Sequence, residues 1–370
     1  MRVWLLLLAC ALGCCCWCSV GCPQPTPPIP LPGALGTAHA TPVAETLEPI
    51  RQKHRLPALA GAIVTEKGAV AIGAVGATTN ALWHIGSDTK AMTATMIAVL
   101  VHQGRLKWET TVGEVFPDAP EALRKVTLLH LLSHRAGLPS NLSWGKLAAT
   151  KQPVREQRRQ AVLTATLQSA PGEKYAYSNL GYVIAGAMAE QTMNASWEEL
   201  MRKLVFEPLG MKSVGFGGVG PGQPCGHTAQ GKPVLPLADN PPVLGPAGRV
   251  HCTLADWSKF IADLLRGLRG EQALLPAEFY RKMMTPPFGG DYALGWIVTE
   301  RKWGGGKVLT HNGSNTMNYS VAWVAPKRGF AVLVCTNQGG DEAAKACDEA
   351  ASALIRVVET SGLRSGRSSG

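Results

Sequence analysis

Two residues with the chemistry of a nucleophile and a base stand three positions apart in the stretch HIGSDTK, which contains Ser87 and Lys90. The apolar run AMTATMIAVLV follows and predicts a helix that is buried nearly all round. Residues three apart share one helix face, and an unpaired amine is costly to bury, so this spacing indicates that Lys90 acts on Ser87. Taken alone, however, Ser87 is also a good N-cap residue for the helix.

Further segments follow in a fixed order, and together with the Ser87 segment they resemble the serine β-lactamase and penicillin-binding protein superfamily, within it the class C β-lactamases with their esterase and D-peptidase relatives. The resemblance covers about residues 43 to 358. It implies a β-lactamase/DD-peptidase-like fold and a serine hydrolase without cofactor or metal. The segments are LLHLLSHRAGLP, PGEKYAYSNLGYVIAG, EPLGMKSVGFG, GPAGRVHCTLADWSKFIADLL, YALGWIV and HNGSNTMNYSVAWVAPKRGFAVLVCTN.

The resemblance implies an acyl-enzyme mechanism in which Ser87 attacks an ester, amide or lactam carbonyl. The second family motif, Tyr-x-Asn, is matched by Tyr177 and Asn179. In this scheme Tyr177 takes the proton of Ser87, and Lys90 either lowers the pKa of the phenol or, as a neutral amine, is itself the base. Asn179 is implied to bind the carbonyl side of the substrate and to hold Lys90.

The third family motif lies on a strand beside the nucleophile, often as Lys-Thr-Gly, and here it is His311, Asn312 and Gly313. The histidine departs from class C β-lactamases and matches their esterase and peptidase relatives, so the pattern disfavours an antibiotic-resistance enzyme. Gly313 allows the strand backbone to approach a ligand closely. We expect the backbone N–H groups of Ser87 and Ser314 to form an oxyanion hole.

Local patterns give the elements that must position these residues. The stretch LPALAGAIVTEKGAVAIGAV predicts two antiparallel strands joined at EKG. Residues 106 to about 285 have helical apolar spacing and predict a mainly helical region. Strand patterns return in ALGWIVTE, KVLTHNG, YSVAWVAP and FAVLVCTNQ, before a closing helix at DEAAKACDEAASALIRVVE. Strands at both ends predict an α+β fold, in which one antiparallel sheet built from both termini is flanked by helices.

The N-terminus predicts export. Arg2 is followed by an uncharged run from Val3 to Cys22, which is typical of a signal peptide or lipoprotein leader at residues 1–22. A small residue precedes Cys14 and Cys22, either of which would be a lipid acceptor. An uncleaved anchor, or ordinary cleavage after the later AHA, remains an alternative.

The remaining sequence divides into three parts. The proline-rich residues 23–40 predict a stiff tether. Residues 41–358 form the predicted hydrolase domain, and residues 359–370 a disordered tail. The protein is therefore expected in the periplasm or cell envelope, tethered to the membrane at its N-terminus.

Charge and cysteine usage argue against two other classes of function. The net charge is +10, but the basic residues are scattered, and the densest group, KQPVREQRRQ at residues 151–160, is interpreted as a solvated helix or loop face. No CxxC follows the leader, and the histidine pair of HLLSH lacks the glutamate of HExxH, so we expect no metal site. The cysteines outside the leader are buried thiols or include one disulfide: Cys225, Cys252, Cys335 and Cys347.

The expected partner is a small-molecule or peptide substrate, with cell-wall peptides as one candidate, and neither nucleic acid nor a membrane contact beyond the N-terminal lipid or anchor. Fold alone cannot choose among β-lactams, D-alanyl peptides and esters, and the third motif favours the esterase or D-Ala-peptidase type. The Gly- and Pro-rich loop Gly215–Pro246 is expected to border the pocket. A class C-like β-lactamase and a catalytically silent binder of cell-wall peptides are the alternatives.

Overall fold

The structure, a computed structural model, describes residues 43–234 and 239–361 of the 370-residue chain. The predicted leader at residues 1–22 and the predicted tether at residues 23–40 lie outside the described residues, as do residues 362–370 of the predicted tail. In the described part of the chain no helix combines the length and the apolar character needed to cross a membrane.

The centre of the fold is an antiparallel sheet to which both ends of the domain contribute strands, as predicted. Its six strands follow the order β2-β1-β9-β8-β7-β6, and a small second sheet has the order β3-β5-β4. The bounds are β1 (Leu59–Thr65), β2 (Gly68–Val75), β3 (Trp83–His84), β4 (Gly215–Phe216), β5 (Val250–Cys252), β6 (Ile297–Arg301), β7 (Gly306–Ser314), β8 (Tyr319–Ala325) and β9 (Phe330–Thr336).

Helices surround this sheet, and most of them come from the predicted helical region between β2 and β6. The bounds are α1 (Val43–Lys53), α2 (Thr89–His102), α3 (Val112–Val115), α4 (Glu121–Arg124), α5 (Leu128–Leu132), α6 (Trp144–Ala149), α7 (Val154–Leu163), α8 (Asn179–Met193), α9 (Trp197–Met201), α10 (Gly245–Gly248), α11 (Leu254–Arg269), α12 (Ala277–Met283) and α13 (Asp341–Ser361). The predicted α+β architecture is confirmed.

Different helices cover the two faces of the sheet, because successive strand residues point to opposite sides. On β9, Phe330, Val332 and Val334 pack in a cluster with the apolar sides of α1 and α13. Ala331 and Leu333 point to the other side, into the larger core that contains α2, α8 and α11. Since both faces are covered, β9 is apolar from Phe330 to Cys335.

The two ends of the domain differ from the sequence prediction. Helix α1 is not among the predicted elements, although Val43, Leu47 and Ile50 recur at helical spacing and are buried. Pro49 lies inside this helix, and a proline normally argues against a helix interior. Helix α13 continues to Ser361, so the first three residues of the predicted tail are helical.

Arg158 corrects the interpretation of residues 151–160 as a solvated face. Helix α7 places this side chain in the interior, with no exposed surface. Its Nη1 lies 2.5 Å from Glu190 Oε1, its Nη2 lies 2.6 Å from Glu198 Oε1, and its Nε donates to the Val243 carbonyl at 3.2 Å. Burial acts to lower the pKa of Arg158, but the two carboxylates outweigh it and raise that pKa.

The cysteines outside the leader are all buried. Cys252, Cys335 and Cys347 are free thiols, so the alternative of a disulfide among them is not found. Burial raises the pKa of the Cys335 and Cys347 thiols well above the usual value. We therefore assign these cysteines to core packing.

The buried position of Arg158 predicts a large effect of its removal on stability. Arg158→Met should lower the free energy of unfolding by about 3–5 kcal/mol, because the buried Glu190 and the half-buried Glu198 would lose their cation. Its neighbour Arg159 forms an exposed pair with Asp118, so Arg159→Met should lower it by about 1 kcal/mol or less. Urea denaturation of both variants measures the difference, and equal losses would contradict this account.

Candidate active site

Ser87 lies in a tight turn between β3 and α2. The 3-10 turn Gly86–Asp88 leads into α2, and the N-cap of that helix is Asp88. Residue 86 must be glycine, because its φ is +48° and a Cβ atom there would lie 2.3 Å from Ser314 N. Ser87 is partly exposed, whereas Gly86 and Asp88 are buried. The N-cap interpretation therefore does not account for Ser87.

The Lys90 amine is fully buried and contacts oxygen atoms from three separate parts of the chain. Its Nζ lies 3.0 Å from Ser87 Oγ, 2.8 Å from Asn179 Oδ1 and 2.6 Å from the Ala247 carbonyl oxygen. Amide and carbonyl oxygens only accept hydrogen bonds, so a neutral amine would give them its two hydrogens and direct its lone pair to Ser87. Burial lowers the pKa of Lys90 well below its usual value, and a charged Asp88 opposes this shift.

Tyr177 and Asn179 reach the same atoms from the start of α8. Tyr177 Oη lies 2.9 Å from Ser87 Oγ, so the serine hydroxyl contacts both candidate bases. Asn179 Nδ2 donates to Asn141 Oδ1 at 2.9 Å, which leaves Asn179 Oδ1 to accept from Lys90. Burial raises the pKa of Tyr177, and the hydrogen bond with Ser87 offsets only part of this rise. A phenolate is therefore disfavoured here, whereas a neutral amine is favoured.

Strand β7 runs directly against the nucleophile turn. A Cβ atom on Gly313 would lie 2.0 Å from the Ile85 carbonyl oxygen and 2.7 Å from Ser87 N, so only glycine fits. Ser314 N is the atom that a Cβ on Gly86 would meet first. The backbones of Ser87 and Ser314 therefore lie side by side, as an oxyanion hole requires. Their catalytic role remains a prediction.

His311 lies on β7 beside these residues but faces the interior, with 3% of its surface exposed. Its Nδ1 lies 2.8 Å from the Asn312 carbonyl oxygen and must carry the hydrogen, because a carbonyl only accepts. Its Nε2 lies 3.1 Å from Tyr292 Oη. Burial, followed by the charge of Lys90, lowers the pKa of His311 to about 3, so the ring is neutral at physiological pH.

The histidines of HLLSH have structural contacts, as predicted. His130 Nδ1 lies 3.2 Å from Thr127 N at the start of α5. His134 accepts from Ser178 N at its ring Nδ1 and from Ala176 N at its carbonyl, and so holds both sides of Tyr177. Among the described residues no group of three or more potential ligands is placed to hold a metal ion.

The described part of the loop Gly215–Pro246 contacts the segments on both sides of the site. Asp239 accepts from Asn315 Nδ2 at 3.0 Å and from Arg249 Nε at 3.1 Å, and His84 Nε2 lies 3.1 Å away without hydrogen-bond alignment. Burial acts to raise the pKa of Asp239, but His84, Asn315 and Arg249 outweigh it and lower that pKa to about 2. This loop therefore joins the ends of β3 and β7 through a charged residue.

Three contributors to the site are not identified by the sequence motifs. Ala247 supplies a backbone carbonyl, for which a sequence has no side-chain signal. Ser320 lies on β8 opposite Gly313, and that pairing follows from sheet register alone. Asp88, within the SDTK stretch, could have been identified from the sequence, because an acidic residue beside a helix that is apolar all round is unusual.

Comparison with known proteins identifies the family of this chain. The Beta-lactamase family model matches residues 43–355. This chain belongs to the beta-lactamase family. Penicillin-binding protein 4 of Amycolatopsis lactamdurans is 25% identical over 331 residues, which cover 80% of this chain and 84% of the relative. The unguisins hydrolase ungD' of Aspergillus campestris is 26% identical over 297 residues, which cover 70% of this chain but only 53% of the relative.

Solved structures share the fold of this chain at low sequence identity. SurE superimposes with a TM-score of 0.70 at 21% identity, covering 87% of this chain and 75% of SurE. A D-stereospecific amidohydrolase from Streptomyces sp. has a TM-score of 0.68 at 21% identity, covering 84% of this chain and 97% of that protein. Membership of the beta-lactamase family makes this chain a serine hydrolase.

Replacing Lys90 should slow acylation of Ser87 more than replacing Tyr177, because burial favours the neutral amine. Lys90→Met should lower the rate of Ser87 labelling by a fluorophosphonate about 10²–10⁴-fold, Tyr177→Phe by less, and Ser87→Ala should abolish it. Labelling of the wild-type protein should rise with pH through a pKa below the usual 10.5 of lysine. A larger loss in Tyr177→Phe than in Lys90→Met would make the tyrosine the base.

The close passage of β7 predicts that Gly313 tolerates no side chain. Gly313→Ala should push the strand away from Ser87 and lower the labelling rate about 10²–10³-fold, as the loss of one oxyanion donor does. Gly145→Ala is the matched control, because a Cβ atom there meets no atom within 4 Å. Unchanged labelling of a folded Gly313→Ala protein would show that the close approach of β7 to the Ser87 turn is not needed for acylation.

Proposed function

We propose that this beta-lactamase-family chain is an exported hydrolase of the esterase or D-peptide amidase type. It transfers an acyl group to Ser87 and then to water, and it prefers substrates whose leaving group carries no carboxylate. The observation that carries this proposal concerns His311, which stands where Lys-Thr-Gly relatives have a lysine. Its ring is neutral, and both ring nitrogens are hydrogen-bonded within the protein.

The reaction begins when Ser87 Oγ bonds to the substrate carbonyl carbon and its proton passes to the free amine of Lys90. The negative charge on the carbonyl oxygen is stabilised by the N–H groups of Ser87 and Ser314. The proton then passes through the Tyr177 hydroxyl to the leaving oxygen or nitrogen as its bond to the carbonyl carbon breaks. Water adds to the acyl-enzyme, gives a proton to the same base, and Ser87 departs with that proton as the acid is released.

The substrate preference follows from the charges beside Ser87. A carboxylate next to the scissile bond is recognised best by a cation or by charge-assisted hydrogen bonds. His311 offers neither, because its two ring nitrogens are occupied by Asn312 and Tyr292. Arg249 is the cation next in sequence to Gly248, which packs against Ser87 N. Its charge is already paired with Asp239, whose Oδ2 lies 3.1 Å from Arg249 Nε.

The relatives support a D-configured acyl donor. One solved structure is of a D-stereospecific amidohydrolase, SurE has also been solved with D-Leu, and AmpH of Escherichia coli is a D-alanyl-D-alanine-carboxypeptidase/endopeptidase. Export is supported by the uncharged run Val3–Cys22 after Arg2 and by the penicillin-binding proteins among the relatives. Lipidation of the leader is the form of tethering we propose.

A matched pair of substrates tests the charge preference. N-acetyl-D-alanyl-D-alanine and its C-terminal methylamide differ at the scissile end only by the carboxylate. We expect kcat/KM to be higher for the methylamide by about tenfold or more. The carboxylate would lose hydrogen bonds to water that no group beside Ser87 replaces, and one hydrogen bond to a charged group contributes a factor of this size. A preference for the free acid would indicate a carboxypeptidase and overturn the proposal.

Intact-protein mass spectrometry over time with benzylpenicillin separates the alternatives. We expect no long-lived penicilloyl adduct in protein that a fluorophosphonate still labels at Ser87. A stable adduct would favour a recogniser of β-lactams and D-alanyl peptides, and rapid turnover of the antibiotic would favour a lactamase. Folded protein that neither reagent labels would favour the catalytically silent binder.

A further inference from the structure

The carboxyl group of Asp88 is buried directly behind the nucleophile, and the mechanism above does not use it. Only 2% of this residue is exposed. Oδ2 lies 2.6 Å from Ser320 Oγ, whereas Oδ1 has no hydrogen-bond partner among the described residues. The nearest ring nitrogen, His311 Nδ1, is 3.9 Å from Oδ1 and gives its hydrogen to Asn312 instead. An ionised carboxylate in this position would have an uncompensated charge.

A count of hydrogens at Ser320 points to the protonation state of Asp88. Ser320 Oγ lies 2.6 Å from Asp88 Oδ2 and 2.9 Å from the Ile85 carbonyl oxygen. The hydroxyl has one hydrogen, and both the carbonyl and an ionised carboxylate can only accept. If Asp88 were ionised, one of these two contacts would contain no hydrogen. If Asp88 is protonated, it donates to Ser320 and Ser320 donates to Ile85, so both contacts are hydrogen bonds.

We propose that Asp88 is a neutral carboxylic acid in the working enzyme and that, through Ser320, it positions the nucleophile turn against β7. Its neutrality also leaves Lys90 without a buried counter-charge, which favours the free amine. Asp88 is thus a positioning residue, and its catalytic part depends on the proposed function. Its protonation state does not depend on that function.

The surroundings of Asp88 agree with a neutral acid. Burial raises the pKa of Asp88 well above the usual value, while the Ser320 hydrogen bond and a charged Lys90 offset part of the rise. His311 is neutral and gives its Nδ1 hydrogen to Asn312, so it does not compensate a carboxylate here, and burial lowers the pKa of Lys90 as well. The other titratable groups that face this acid, all neutral when protonated, are Tyr177, Tyr319, Cys252, Cys335 and Cys347.

The Ser320 hydroxyl acts at the point where the turn and the strand touch. Ser320 pairs with Gly313 across β8 and β7. A Cβ atom on Gly313 would lie 2.8 Å from Ser320 Oγ and 2.0 Å from the Ile85 carbonyl oxygen. The hydrogen bond from Ser320 therefore fixes Ile85, two residues before Ser87, against the strand that carries Ser314. Its loss would change the spacing of the two N–H groups proposed to bind the oxyanion.

Unfolding as a function of pH tests the protonation state without any substrate. The folded-state pKa of Asp88 is raised, so its contribution to stability is present at low pH and is lost as pH rises from the ordinary aspartate value of about 4. Asp88→Asn cannot ionise. In the full-length chain, the folding equilibrium constant of Asp88→Asn relative to wild type should therefore rise about tenfold per pH unit above about pH 4, until the folded-state pKa is passed. A ratio that is constant between about pH 4 and about pH 8 would overturn the proposal.

Fluorophosphonate labelling of Ser87 tests the positioning role. Asp88→Ala and Ser320→Ala should each label about tenfold more slowly or worse, and Asp88→Asn, which can still donate to Ser320, should restore most of the lost rate. Equal losses in Asp88→Asn and Asp88→Ala would show that the enzyme needs an ionised carboxylate, against the proposal. Failure of the wild-type protein to label would overturn the proposed function and the positioning role together, whereas the unfolding ratio would still decide whether Asp88 is neutral.

Discussion

The burial of one amine, that of Lys90, is the constraint on which the rest of the site depends. Leaving an ammonium group in the interior without partners would cost several kcal/mol. The chain avoids this by bringing a serine hydroxyl, a side-chain amide and a backbone carbonyl to the same nitrogen, from the turn before α2, from α8 and from α10. Lys90 Nζ, the atom at which proton transfer is expected, thus connects α2 to α8 and α10 of the helical region.

Burial also sets the electrostatic character of the site. It lowers the pKa of Lys90 and His311 and raises that of Tyr177, so each of these groups is driven toward its neutral form. Ionised pairs hold the framework instead. Arg158 with its two glutamates fixes the segment before α10, and Asp239 with Arg249 holds the loop beside β7. Proton transfer from the neutral serine to the neutral amine creates an ammonium and an oxyanion, so the two oxygens that accept from Lys90 and the backbone N–H groups beside Ser87 are needed where these charges develop.

Much of this could be predicted from the sequence, for identifiable reasons. The stretch FAVLVCTNQ gives a strand buried on both faces, and the Ser-x-x-Lys and Tyr-x-Asn motifs name the groups that meet at Ser87, because they are chemically distinctive side chains. The burial of Arg158 depends on glutamates 32 and 40 positions away, and periodicity within one helix contains no such information. The acceptor at Ala247 is a backbone atom that every residue has.

The contacts of α2 fix the segment that supplies the backbone acceptor of Lys90. Besides Lys90, the hydroxyl of Thr93 donates to the Pro246 carbonyl at 2.8 Å, and the hydroxyl of Thr89 accepts from Val250 N at 3.1 Å. One face of the nucleophile helix therefore holds residues 246–250 at several points. The described part of the preceding loop, which contacts the ends of β3 and β7 through Asp239, leads into this anchored segment. The Ala247 carbonyl is therefore positioned by α2 itself, so the geometry around Lys90 depends on contacts with this segment rather than on the loop before it.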